Sequence, residues 1–353
     1  MGETTTSGRA DVRELVKPER LGPMLACTTG DQAWLDLTAT LIAGGKSNLT
    51  FELTSEAGEL ILRRPPTGDL LPSAHDMGRE ARVQRALANT SVPVPRVIAR
   101  EETADVIGAP FYVMAKVAGH VIRGELPTGY ADTAPEREAM ANALIDVLAD
   151  VHAVDPEAAG LAGFGRPDGF LTRQVRRWQG QWEASRTAEV PAVDTLGREL
   201  AARLPASHAP TIVHGDFRLD NCLMSSDGPG TVAAVLDWEL STLGDPLTDL
   251  GLLLFYWREP GEPQRALSPT VTSLPGFPRR ADLVERYAAR TGRDLAGIRY
   301  YEAFSHFKFA VIAQGIAARV AAGAMAGQDF GDLDEEIVRI AEEGLEMLIG
   351  GGR

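Results

Sequence analysis

The chain has 353 residues, 44% hydrophobic and 24% charged, a balance that excludes global disorder and allows one large domain or two lobes. Its 49 acidic and 35 basic side chains give a net charge of −14, which excludes a partner held mainly through a polyanionic backbone, so no nucleic-acid partner is expected. Two cysteines are too few for a disulfide framework, no basic-then-apolar leader opens the chain, and the longest apolar stretch, 309–327, carries Gln314 and Arg319. The expectation is a cytoplasmic protein without a membrane span; its oligomeric state is left open.

Residues 1–10 are small and polar and read as a loose tail. From Gly44 the pattern alternates, with Leu49, Phe51 and Leu53 apolar, then turns at 56–59 and enters a second strand through Ile61, Leu62 and Arg63. Met77, Ala81, Val83 and Leu87 predict a helix over 73–88, with Ser73 or Asp76 as its cap. Proline-interrupted extended segments follow at 92–99 and 109–119. Met140, Leu144, Val147, Leu148 and Val151 share one face of a long helix predicted over 134–154, stopped by Pro156. Two short strands, ending near Val213 and Leu236, flank polar loops. The rest reads as helices, broken at 259–278 by a Pro/Gly-rich stretch too long for an ordinary connection, a lid or a substrate loop.

The strongest constellation is His214-Gly215-Asp216-Phe217-Arg218-Leu219-Asp220-Asn221, followed by Asp237-Trp238-Glu239. This is the spacing of a kinase catalytic loop, where an Asp takes up the acceptor hydroxyl's proton, an Asn five positions later holds magnesium, and an Asp on the next strand holds it too. Phosphoryl transfer needs divalent charge across the phosphates and an oriented hydroxyl, and amide and carboxylate oxygens suit magnesium.

On these residues, and on ILRRPP (61–66), PFYVMAKVAG (110–119), VHGDFRLDN (213–221) and AVLDWELSTLGDPLTDLG (234–251), the chain resembles the aminoglycoside phosphotransferase family, which is choline kinase-like. The wording is most similar to the branch found alone in bacteria or fused to acyl-CoA dehydrogenase domains. The resemblance runs from about residue 30 to the C-terminal helix. It implies an α+β, two-lobed protein-kinase-like fold with a small β-rich N-terminal lobe and a larger, mainly helical C-terminal lobe. The implied division is a tail and lead-in (1–29), a nucleotide-binding lobe and hinge (30–119), and a catalytic and acceptor-binding lobe (120–353).

Carried onto this sequence, the resemblance makes Asp216 the catalytic base or hydroxyl-orienting group and Asn221 and Asp237 the magnesium ligands. His214 supports the loop from beneath, and Asp249 hydrogen-bonds its backbone from a helix start. Arg218 either stabilises charge on the γ-phosphate or forms a structural salt bridge, and Glu239 either reaches the metal shell or pairs within its loop. Strand alternation puts Arg63 on the face with Ile61, where kinases keep a phosphate-binding lysine, with Glu80 as its partner and Arg64 as the rival if the register shifts. The Gly45-Lys46-Ser47-Asn48 stretch lacks the earlier glycine and following helix of a P-loop; it is either a hairpin whose backbone approaches phosphates or a plain turn. Met114, Ala115 and Val117 would form an adenine hinge, Met114 alternatively being core. Asp245 reads as a turn or cap, Tyr300, Tyr301, Phe304 and Phe307 as core, and Cys222 as no nucleophile.

The activity implied is transfer of the γ-phosphoryl group of ATP, with GTP as an alternative donor and Mg2+ as cofactor, to a hydroxyl of a small molecule. The alternatives are a metabolic hydroxy acid or hydroxyacyl thioester kinase with no antibiotic role, a nucleotide-binding pseudokinase module and, ranked lower, a protein kinase.

Overall fold

The computed structural model describes residues 11–42, 48–67, 76–263, 265, 267–323 and 330–350. The tail 1–10, Gly45, Lys46, Ser47 and Ser73 lie outside the described residues. The chain divides into two compact units, one running to Ala118 and including Asp237–Glu239, the other comprising Gly119–Leu236 and the chain from Leu240 onward. The segment Asp237–Glu239, expected to go with the C-terminal region, thus groups with the first unit.

The first unit carries α1 (Val12–Val16), α2 (Pro18–Thr29), β1 (Thr38–Leu41), β2 (Leu49–Ser55), β3 (Gly58–Arg64), α3 (Met77–Leu87), β4 (Val97–Glu101) and β5 (Phe111–Ala115). Its strands form one antiparallel sheet in the order β1-β2-β3-β5-β4. The two-residue period of β3 supplies both faces. Leu60 and Leu62 pack with Phe51, Leu53, Phe111 and Val113 against Leu15, Leu21 and Leu25 of the first two helices. Ile61 packs on the opposite side with Met77, Ala81, Tyr112 and Met114. The lead-in before residue 30 is therefore, from Val12 on, two helices covering a sheet face. α3 starts at Met77, the first residue of the apolar spacing, and of the two candidate caps it is Asp76 that accepts the Arg79 amide at 2.9 Å and caps the helix.

The second unit carries β6 (His120–Val121), α4 (Ala134–Ala153), α5 (Phe170–Ser185), α6 (Pro191–Ala202), β7 (Thr211–Val213), β8 (Cys222–Met224), β9 (Val232–Val235), β10 (Thr242–Gly244), α7 (Leu247–Tyr256), α8 (Arg280–Thr291), α9 (Ile298–Ala321) and α10 (Leu333–Ile349). Two small antiparallel sheets, β6-β8-β9 and β10-β7, hold the loops between strands. α9 packs against α5, α6, α7 and α10, which is why its aromatic residues Tyr300, Tyr301, Phe304 and Phe307 are all buried. α7 meets it at backbone distance: a Cβ on Gly251 would lie 2.6 Å from the carbonyl carbon of Tyr301.

The long connection after Tyr256 is pinned rather than loose where it is described. Arg280 grips Glu262 through both terminal nitrogens, at 2.5 and 2.7 Å. Arg265 is buried, its guanidinium 4.3 Å over the Phe255 ring and paired with Glu343 of α10. No described helix is long and apolar enough to cross a membrane.

Candidate active site

In the second unit the loop 214–221 runs from β7 to β8, and charged side chains hold its backbone. Asp249, fully buried near the start of α7, accepts the His214 amide at 2.6 Å through one oxygen and the Gly215 amide at 2.8 Å through the other. Burial pushes the Asp249 carboxyl up, but His152, His214 and the Gly215 N–H outweigh it and hold the group below the ordinary carboxylate value. His152, on α4, places Nε2 3.2 Å from Asp249 and Nδ1 2.6 Å from the Tyr287 hydroxyl on α8. Nothing in the catalytic motif points to His152. The signal available was a lone histidine on the buried face of a helix, which needs a partner.

Gly215 sits at φ 87°, and a Cβ there would lie 2.6 Å from the Leu240 carbonyl oxygen, so the position takes only glycine. Its own carbonyl accepts a hydrogen bond from Lys308 of α9 at 2.9 Å. His214 is buried beneath the loop, donating from Nε2 to the Leu236 carbonyl at 2.9 Å and accepting the Asp216 amide on Nδ1 at 3.2 Å, which fixes the Nε2–H tautomer. Asn221 donates from Nδ2 to the Asp216 carboxylate at 2.9 Å and to its carbonyl at 2.8 Å. One Asn221 nitrogen thereby ties the half-buried Asp216 carboxylate to its own backbone carbonyl. Arg218 lies 3.5 Å from both Asp216 and Asp220 and stacks 4.7 Å over the Tyr256 ring. Asp245 accepts the Leu247 amide at 3.1 Å and the Tyr301 hydroxyl at 2.8 Å, joining a cap to the core. Burial raises the Cys222 thiol well above its ordinary value, which removes it as a nucleophile.

The first unit gathers a different set. Arg63 has Nε 3.4 Å from Glu80 and donates from Nη2 to Asp237 at 2.9 Å. Glu80, fully buried on α3, also accepts the Tyr112 hydroxyl at 2.9 Å and the Asn48 amide at 2.9 Å. The same Asn48 nitrogen reaches Glu239 at 3.1 Å. The side chain of Asn48 is thus committed to two carboxylates. Burial disfavours the Arg63 charge, but Tyr112, Glu80 and Asp237 outweigh it and raise its pKa above the ordinary value. Burial likewise pushes Glu80 up, against the pull of Arg63 and Tyr112. Asp237 adopts φ 64°, a left-handed conformation that costs about 1–3 kcal/mol for a residue other than glycine and is tolerated best by Asp and Asn.

The rival, Arg64, points elsewhere. It donates to the carbonyls of Leu15 and Pro65 at 2.8 and 3.2 Å and ties β3 to α1. Met114 is buried with Ile61 and Tyr112 in the layer under α3. The Ala115 N–H donates to the Arg96 carbonyl at 2.9 Å. A register shift between Val97 and Ala99 of β4 accompanies this bond. Val117 is half-buried.

Residues 38–301 match the Phosphotransferase enzyme family, APH. The chain is 36% identical over 303 residues to acyl-CoA dehydrogenase family member 10 of Mus musculus, covering 84% of this chain and 28% of that protein. It is 37% identical over 315 residues to acyl-CoA dehydrogenase family member 11 of Rattus norvegicus, covering 88% and 40%. It therefore spans well under half the length of these curated relatives. Among solved structures, a candidate aminoglycoside phosphotransferase of Ralstonia eutropha superposes with a TM-score of 0.77 at 35% identity, covering 90% of this chain and 94% of the other. The aminoglycoside phosphotransferase APH(4)-Ia, in a ternary complex with AMP-PNP and hygromycin B, shares the fold at a TM-score of 0.61 and 18% identity, covering 94% and 99%. With three quarters of its length inside the family match, the chain belongs to the APH phosphotransferase family and has its protein-kinase-like fold.

Proposed function

We propose that the protein transfers the γ-phosphoryl group of ATP, with GTP as the alternative donor, to a hydroxyl of a small molecule in the cytoplasm. The observation that carries this reading is Asp216, fixed by two hydrogen bonds from Asn221 in a loop whose backbone is anchored to a buried carboxylate. Such a carboxylate can orient an acceptor hydroxyl and take its proton. In this reading residues 30–119 bind the nucleotide and 120–353 carry catalysis and the acceptor. Arg63, set by Glu80, grips the α- and β-phosphates, and Met114, Ala115 and Val117 border the adenine. Arg218 answers the charge moving onto the γ-phosphate.

Asn221 and Asp237 are the residues that would hold magnesium. The Asn221 amide nitrogen is already committed to Asp216, so its oxygen is the atom left to face a cation, and an amide oxygen with a carboxylate is a donor set suited to magnesium with retained waters. Bound there, the ion would neutralise charge on the phosphates.

For the acceptor, a metabolic hydroxy acid or hydroxyacyl thioester is favoured over an aminoglycoside. The relatives at 36–37% identity are named as acyl-CoA dehydrogenase family members, whereas the antibiotic-bound structure is related at 18%. The test is a screen of hydroxy acids, hydroxyacyl thioesters, amino alcohols and aminoglycosides with ATP and magnesium, scored by ADP release and by an acceptor mass gain of one phosphate. Nucleotide binding without ADP release from any acceptor would turn the assignment toward a pseudokinase module.

A further inference from the structure

We propose that Lys308 is a positioning residue for the loop that carries Asp216; the inference deepens the phosphotransferase reading and rests on it. Lys308 stands on α9 between the buried Phe307 and Phe309, an unusual place for an ammonium, which is costly to bury unless its charge is answered. Its hydrogen bond goes to a backbone oxygen, the Gly215 carbonyl, at 2.9 Å, and its ammonium lies 5.7 Å from the Trp178 ring centroid on α5. The charged groups around it are Asp216 and Asp249, which favour its protonated form, and Arg177 and Arg218, which oppose it. Burial is the largest influence and pushes the amine below its ordinary value.

The placement matters because of what Gly215 is. At φ 87° and without a side chain, it is the point of the loop with the most backbone freedom, and Asp216 follows it directly. The peptide before Gly215 is held at its N–H by the Asp249 carboxylate, and the peptide after it is held at its carbonyl by the Lys308 ammonium. A negative side chain of α7 and a positive one of α9 therefore fix the two peptide planes on either side of the flexible residue. Both bonds are charge-assisted, roughly twice the strength of neutral ones. The two helices meet at backbone distance at Gly251 and Tyr301, so the anchors are themselves rigidly spaced. With both planes fixed, the direction in which Asp216 leaves the loop is set; with the Lys308 anchor removed, the peptide between Gly215 and Asp216 rests on the longer, 3.2 Å bond from the Asp216 N–H to His214 Nδ1.

The test compares Lys308→Met and Lys308→Arg with the unaltered protein by amide hydrogen exchange of the segment 211–222, melting temperature, and turnover with ATP and magnesium. For Lys308→Met the expected result is at least tenfold faster exchange confined to that segment and a melting temperature within about 3 °C. Its kcat should fall about 10–100-fold, with KM for ATP changed less than threefold. Lys308→Arg, which keeps a charged donor, should retain loop protection and most of kcat. Unchanged protection in Lys308→Met, or equal loss in both variants, overturns the proposal. Should Lys308→Met lose its melting transition, Lys308→Arg decides alone, retained protection supporting the role and lost protection rejecting it. Absence of turnover in the unaltered protein would sink the phosphotransferase reading while the exchange measurement still decides this one.

Discussion

The two units hold their functional charges by opposite means. In the first, side chain binds side chain: Arg63 lies between Glu80 and Asp237, and Asn48 links Glu80 to Glu239. In the second, side chains bind backbone: Asp249 and Lys308 hold peptide groups on either side of Gly215, and no ligand can substitute without reshaping the loop. The difference teaches that side-chain pairs form an exchangeable network, whereas peptide groups pinned by charged side chains form a fixed frame.

Removing the aimed group gives the largest break. Asp216→Ala should lower kcat by about 10²–10⁴-fold while nucleotide affinity, measured by calorimetry, stays within about threefold. A joint loss of affinity and turnover would erase the distinction between the two networks. Next comes the frame itself. Asp249→Ala strands two buried amides, each costing about 1–3 kcal/mol, so chemical denaturation should show a loss of about 2–6 kcal/mol together with a fall in kcat, and Asp249→Asn should lose less.

In the exchangeable network, Arg63→Met should raise KM for the nucleotide about 10–100-fold with a smaller change in kcat, read from steady-state kinetics. A pure kcat effect would assign Arg63 to the frame instead. The smallest effect lies outside both networks. Arg265 and His306 hold the Glu343 carboxyl at about 2, against an opposing push from burial. Because this folded-state value lies below the ordinary 4.5, the ionised carboxylate stabilises the fold, fully so above about pH 4.5 and progressively less as pH falls toward 2. Glu343→Gln should lower the melting temperature by about 2–4 °C at pH 7, flatten its fall between pH 4.5 and 2, and leave kcat within twofold.

Much of the architecture was legible where local period decides. The alternation of Ile61, Leu62 and Arg63 placed the guanidinium on the Glu80 side of the sheet, the spacing of Asp216 and Asn221 marked out the loop, and the family resemblance supplied Asp249 as its anchor. What escaped were partners chosen by tertiary packing. His152 and Lys308 come 97 positions before Asp249 and 93 after Gly215, on helices whose crossing no local pattern encodes. Each left one trace, a polar residue among apolar neighbours: His152 after Val151, Lys308 between Phe307 and Phe309. The bond from the Ala115 N–H to the Arg96 carbonyl also escaped, because a register irregularity in a neighbouring strand is invisible to alternation.

The grouping of Asp237–Glu239 with the first unit has a practical corollary for anyone dissecting this protein. The polypeptide returns to that unit for three residues and leaves again, so no single cut parts the two. A fragment ending at Ala118 would keep Arg63 with Glu80 but without Asp237, one carboxylate short for a buried cation. A fragment starting at Gly119 would keep the carboxylate and lose the cation. Chimaeras that exchange the first unit between relatives must therefore graft two separate pieces of chain, or inherit a mismatched ion pair.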